Sequence, residues 1–366
     1  MKKLFALLIC LAMLCAVLSV QAEEITVSGK VIEIEKYGHA LLDITIEDFT
    51  AAGFELGDVI HVTAGTFSGD LPYYNGYYVE KGDPMVRAYP GHTNIAVCIN
   101  YGKFNEVAGI DVGDTVTLSL KEKAGMLTVQ EINNLVYSNE RADYASDEIF
   151  ANFRPVVMGT IAEGKLYRAA SPIENQNGRA GFVSTLMEAA GVKAVINMAN
   201  NEEELAACFA AEDFASPYYK ELCDAGNVIA LGMPVNYSSD EFADGIVKGL
   251  VFLAEHEGPY LVHCTEGKDR AGFMAMVLEA LGGASCEEMV ADYMLSYVNY
   301  YGIEPGSDKY EMIAEKNIMD MIRTVAGLEK GASLEGVDLK AAAEAYLAAH
   351  GMSADAIAQV EANLAP

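Results

Sequence analysis

Val262-His263-Cys264-Thr265-Glu266-Gly267-Lys268-Asp269-Arg270-Ala271-Gly272 joins a short apolar run at 259–262 to a segment in which Phe273, Met274, Val277 and Leu278 recur at helical spacing until Gly282-Gly283. The order is strand, loop, helix. A loop of this kind converges backbone N–H groups and the positive end of a helix on one point, which favours a bound dianion and a cysteine held as thiolate. Arg270, at the helix start, can offer two parallel N–H groups to two oxygens of a tetrahedral anion, a geometry lysine does not reproduce. His263 is expected to order the surroundings of Cys264. A buried structural cysteine with a surface arginine would not also require the preceding His, the Gly at the third position after Cys264 and the Gly two after Arg270.

Outward from the loop, the second half of the chain alternates. Helices are expected at 178–190, 202–211 and 240–255, strands at 193–198 and 228–231, and a final strand ends at Cys264. Such alternation implies an α/β domain with a mainly parallel sheet flanked by helices, and the loop then falls at the carboxyl end of a central strand, where such sheets place their ligands. Ser285-x-x-Glu288 reads as a capping box opening a helix over 289–300, and helices at 312–326 and 339–350 complete the helical C-terminal part.

The first half has a different texture. β-type runs lie at 25–34, 40–46, 59–63, 76–79, 95–100, 115–120 and 126–131, with Gly57-Asp58 and Gly113-Asp114 as turn signals, and predict a small antiparallel β-barrel over 23–132. Residues 133–150 are polar and read as a linker to a domain over 151–366. His39 and Asp43 share a strand face but stand too far apart along it for one metal ion. Tyr73, Tyr74, Tyr77 and Tyr78 cluster beside Gly76, as a barrel rim or a ligand-contacting patch.

With 366 residues, 52% of them hydrophobic, the chain can bury large cores. Lys2-Lys3, the apolar run 4–20 and Val20-Gln21-Ala22 form the n-region, h-region and cleavage site of a signal peptide over 1–22, cut after Ala22, which predicts a secreted or extracytoplasmic protein with no stable membrane insertion afterwards. Cleavage leaves 22 basic against 53 acidic residues, a net of −31. That charge excludes nucleic acid as a partner and argues against highly anionic substrates such as inositol hexakisphosphate. Five cysteines remain, Cys98, Cys208, Cys223, Cys264 and Cys286. The odd count suits one free thiol; Cys208 and Cys223 are open to being a disulfide or buried thiols.

The loop resembles the His-Cys-x5-Arg signature of the cysteine-dependent protein tyrosine and dual-specificity phosphatases, and its Gly-Lys-Asp-Arg resembles a bacterial secreted branch of them. Asn152-Phe153-Arg154, Gly164 to Ser171, Ala194 to Met198, Ala291 to Ser296 and Gly351-Met352-Ser353 look like further segments of that branch, so the resemblance runs from residue 150 to the C-terminus. It implies hydrolysis of phosphomonoesters, phosphotyrosine foremost, with phosphoserine, phosphothreonine and phosphoinositide as further candidates, on a phosphorylated protein or a small substrate. Cys264 would attack phosphorus, a phosphocysteine would form, and water would hydrolyse it without metal or cofactor. Thr265, Glu266, Gly267 and Lys268 would bind the phosphate and Arg270 would stabilise its growing charge. Relatives carry an aspartate some thirty residues before the cysteine as proton donor, but 231–236 here has no acid. Asp269 or Asp240 could take that role, with Asp269 favoured; otherwise Asp240 is a helix N-terminal acid and Asp269 the ion-pair partner of an arginine such as Arg168. Ala271 replaces the usual Ser or Thr, which implies slower hydrolysis of the intermediate and leaves a phospholigand-binding module with little turnover as the alternative. Lys268 at the pocket rim resembles phosphatases that also accept phosphoinositides.

Overall fold

The computed structural model describes residues 25–366, and the leader expected over 1–22 lies outside the described residues. The chain divides after Asn134 into two units.

In the first unit, alternation selects one inward face per strand. Along Val59–Ala64, for example, Ile60, Val62 and Ala64 are buried while the residues between them face outward. Seven strands close a barrel, β1 Thr26–Ile34, β2 Ala40–Thr45, β3 Val59–Ala64, β4 Phe67–Tyr74, β5 Pro84–Arg87, β6 Asn94–Ile99 and β7 Thr115–Glu122, in the order β1-β2-β6-β5-β4-β3-β7. Val31, Leu42, Ile60, Val97, Val116 and Leu118 fill it. Three expectations need correction. The barrel is not wholly antiparallel, because β4 and β5 run parallel, with Tyr73 opposite Val86. The run at 76–79 is an irregular connection, and the strands beside it, β4 with its Gly69 and Pro72 and the short β5, lack a clean alternating signal. Leu127–Ile132 is a short helix rather than a strand, since seven strands already close the barrel and leave it no edge to join.

The second unit is built on a five-stranded sheet of β8 Arg154–Pro155, β9 Leu166–Ala169, β10 Ala194–Asn197, β11 Val228–Ala230 and β12 Tyr260–His263, in the order β11-β10-β12-β9-β8. All pairings are parallel except β8 with β9. All four residues of β12 are buried, the continuous apolar run of a strand covered on both faces. The helices are α1 Ala180–Ala189, α2 Glu202–Ala210, α3 Pro217–Asp224, α4 Asp240–Glu255, α5 Asp269–Leu281, α6 Cys286–Tyr301, a segment Asp308–Val325 interrupted by a π turn over Glu315–Met319, then α7 Leu339–Ala349 and α8 Ala354–Leu364. Helix α5 is buried from Ala271 to Leu281, the all-round apolar character of a central helix.

Of the residues 133–150 expected as a linker, those from Leu135 onward are built into this unit. Arg179, 2% exposed, donates to Phe150 O at 2.9 Å and to Ser138 O at 3.0 Å, and its guanidinium lies 4.5 Å from the Phe150 ring. Cys98, Cys208, Cys223, Cys264 and Cys286 are all unpaired thiols. Among the described residues no helix is long and apolar enough to cross a membrane.

Candidate active site

Strand β12 ends at His263, Cys264 follows, and α5 begins at Asp269 after a turn through Lys268. One glycine permits the turn and a second permits close packing of the helix that follows. Gly267 has φ +68° and a Cβ there would lie 2.2 Å from the Ala169 carbonyl; a Cβ on Gly272 would lie 2.7 Å from the Tyr293 ring.

The polar groups of the loop are sorted by direction. Its carbonyls all have donors: Thr265 O takes Ser171 N at 3.1 Å, Glu266 O takes Tyr300 OH at 2.7 Å and Asn152 Nδ2 at 3.2 Å, and Arg168 Nη2 reaches Gly267 O at 2.9 Å and Lys268 O at 2.8 Å. By contrast, the backbone N–H groups from Thr265 to Arg270 donate to no acceptor among the described residues, and α5 has no side-chain cap. Orphan donors at a helix start are ordinarily capped. Left open directly after a cysteine, such donors are able to cradle an anion. Cys264 itself is 3% exposed.

The clamp behind the loop is a buried charge network. Arg168, fully buried, pairs through Nη1 with Asp292 Oδ2; Arg154 Nε reaches Asp292 Oδ1 at 2.9 Å and Arg154 Nη1 reaches Asn152 Oδ1 at 2.7 Å. Burial opposes the charge on Asp292, but Arg154 and Arg168 outweigh it and hold the carboxyl below the usual carboxylate range. Arg168 is therefore the partner of Asp292, not of Asp269. None of these framework roles was read from the sequence, where Arg154, Arg168 and Asp292 appear only inside segments of family likeness; a buried charge leaves no periodic signal.

Arg270 bends back over the loop. Its Nη1 donates to Met233 O at 3.1 Å and Met198 O at 3.3 Å, and its Nη2 to Thr265 Oγ1 at 3.2 Å, beside Cys264. His263 is fully buried, with Nε2 3.4 Å from Tyr219 OH and Nδ1 3.4 Å from Cys264 O. Burial pushes its pKa down to about 3, so it is a neutral spacer and lends Cys264 no charge.

Asp269 Oδ1 accepts from Tyr293 OH at 2.7 Å, and its Oδ2 lies 3.7 Å from Lys268 Nζ. Lys268 is turned inward rather than standing at an open rim. Its side chain is 11% exposed, and Nζ lies 3.1 Å from Glu266 Oε2, 3.3 Å from Tyr301 OH and 5.0 Å above the Tyr297 ring. Burial works against its charge, but Asp269 and Glu266, with the neighbouring tyrosines, raise its pKa. Tyr137 OH adds a 2.6 Å bond to Glu266 Oε1. Asp240 is elsewhere in character: exposed, in the first turn of α4, next to Ser239, whose hydroxyl accepts from Phe242 N. Tyr237, also missed from the sequence, stacks on Phe273 with ring centroids 5.8 Å apart. Its hydroxyl pKa is raised by burial first and then by the charges of Asp269 and Cys264.

Among solved structures, the core catalytic domain of the PP-IP phosphatase SIW14 from S. cerevisiae, in complex with citrate, aligns at 19% identity over 48% of this chain and 91% of that one, with a TM-score of 0.27. An uncharacterized conserved protein from Thermotoga maritima aligns at 19% identity over 26% of this chain and 37% of that one, with a TM-score of 0.24. Neither superposition is close enough to bear on the reaction. A search of curated proteins finds no match. The sequence pattern of the tyrosine phosphatase family matches residues 152–366, which takes in the loop, its clamp of Arg154, Arg168 and Asp292, and Arg270. The chain belongs to the tyrosine phosphatase family and is a phosphoric monoester hydrolase.

Proposed function

We propose that this protein hydrolyses aryl phosphomonoesters such as phosphotyrosine through a phosphocysteine on Cys264. The observation that carries the reading is the set of six backbone N–H groups from Thr265 to Arg270, open around Cys264 while the loop carbonyls are bound from behind. Cys264 Sγ attacks phosphorus, the bond to the leaving oxygen breaks, and Asp269, entering the step protonated, gives that oxygen its proton. Water then attacks the phosphocysteine and gives a proton to the Asp269 carboxylate, and the S–P bond breaks to release phosphate and the thiolate. Thr265, Glu266, Gly267 and Lys268 serve through their N–H groups, and Arg270 forks onto two equatorial oxygens. Because the Lys268 ammonium is engaged by Glu266 at 3.1 Å, it offers no spare charge to a second phosphate, which supports a monophosphate over a phosphoinositide. Ala271, fully buried, supplies no hydroxyl to assist departure of the thiolate, so the second step is the slower one. The leader over 1–22 supports export, and the excess of acidic over basic residues suits a soluble extracytoplasmic protein.

The test is hydrolysis of para-nitrophenyl phosphate and of a phosphotyrosyl peptide by the chain and by Cys264→Ser. The variant is expected to lose more than about a thousand-fold, and the wild-type chain should show a burst of nitrophenol that Ala271→Ser abolishes while raising steady turnover. Equal rates in the two proteins sink the proposal. Tight phosphopeptide binding without turnover would instead favour a phospholigand-binding module.

A further inference from the structure

The barrel unit carries a cavity of about 670 Å³ lined in part by Lys36, Tyr37, His39, Tyr77, Tyr101 and Lys103. A second cavity of about 310 Å³ shares Lys36, Tyr37, His39 and Tyr77 with it. In a chain with 53 acidic and 24 basic residues, the walls of the larger cavity hold two lysines and no carboxylate; Lys103 is paired with Glu106 at 2.6 Å, which leaves Lys36 as the open charge. The carboxylate bordering the smaller one, Glu35, is already neutralised: Arg87 Nη2 lies 3.1 and 2.9 Å from its two oxygens, and His39 Nδ1 lies 3.1 Å from Oε2.

This corner is built rather than incidental. Arg87 and His39 are 4% and 6% exposed, Arg87 Nη1 donates to Tyr77 OH at 2.9 Å and so fixes that ring, and Arg87 Nε is buried with no partner. Lys36 pairs with no carboxylate among the described residues and stands 5.0 Å over the Tyr37 ring. Tyr37 and Tyr101 are 62% and 86% exposed, and Tyr101 holds φ +55°, a left-handed backbone that a ring-bearing residue adopts at an energetic penalty. Flat aromatic faces accept a planar ring, and an uncompensated ammonium beside them selects an anion. Asp43, weighed with His39 as a metal pair, instead accepts from Lys30 N and takes no part.

We propose that this cavity binds a planar aromatic ring bearing an anionic substituent, with the ring against Tyr37 and Tyr101 and the anion towards Lys36. Calorimetric titration of the full chain with naphthalene-2-sulfonate, methanesulfonate and 2-naphthol tests it. The first should bind, the other two at least about tenfold more weakly, and Lys36→Ala and Tyr101→Ala, both at exposed positions, should each weaken the first by about tenfold. Equal binding of 2-naphthol or of methanesulfonate overturns the requirement for charge or for the ring. Loss of binding in Arg270→Ala but not in Lys36→Ala would move the ligand to the catalytic loop, and no binding of the sulfonate at all would remove the site.

Discussion

Helices α4 and α5 both begin with an aspartate, and they begin in opposite ways. At α4, Ser239 Oγ accepts from Phe242 N and Asp240 adds an acid to the first turn, so the donors of the helix start are met locally. At α5 the preceding residue is Lys268, no side chain caps the turn, and the loop carbonyls are drawn backwards by Arg168, Tyr300 and Asn152. A helix start whose donors are met by its own neighbours is structure. One whose donors stay open because buried groups elsewhere hold its carbonyls is free to meet a ligand.

The sharpest way to break this contrast is Arg168→Met. It strips the donor from two loop carbonyls and half the compensation from buried Asp292, and should destabilise the protein by roughly 3–5 kcal/mol in urea unfolding and depress kcat in the fraction that remains folded. Unchanged kcat would show that the loop holds its shape without Arg168. Next, Asp269→Asn should slow phenyl phosphate hydrolysis by about a hundred-fold and para-nitrophenyl phosphate far less, while Asp240→Asn changes either by under about twofold. The reverse ranking would move proton donation to the capped helix.

A smaller effect concerns pH. His263 has a folded pKa of about 3 against its ordinary value of 6.5, so the unfolded chain takes up the proton first as pH falls. Its contribution to stability is complete above pH 6.5 and is lost towards about pH 3, at about 1.4 kcal/mol per pH unit. Denaturant unfolding between pH 7 and pH 4 should show that slope reduced in His263→Gln, and an identical slope would place the ring in water. Smallest of all, Ser239→Ala should cost about 1 kcal/mol and leave kcat untouched; a fall in kcat would mean that the start of α4 also serves the reaction.

Much of the site was legible because it is local. The strand-loop-helix order, the helix Asp240–Glu255 and the Ser285–Glu288 capping box each depend on residues within a few positions of one another. The inward turn of Lys268 was not, since it depends on Tyr297 and Tyr301 from α6. Nor was the pairing of Arg168 with Asp292, which lie 124 residues apart in the chain, or the parallel pairing of β4 with β5.

Sequence alone determined that a cysteine, an arginine and a run of amide donors share one loop between a buried strand and a buried helix, and that an acidic chain carries them. Tertiary structure alone decided which charges are paired with one another and which remain to meet a ligand, inside the Cys264–Arg270 loop and at the Glu35–Arg87 corner of the barrel alike. The physical reason is that helix and strand periods are set by near neighbours, whereas the cost of a charge depends on burial and on partners that only folding brings within reach.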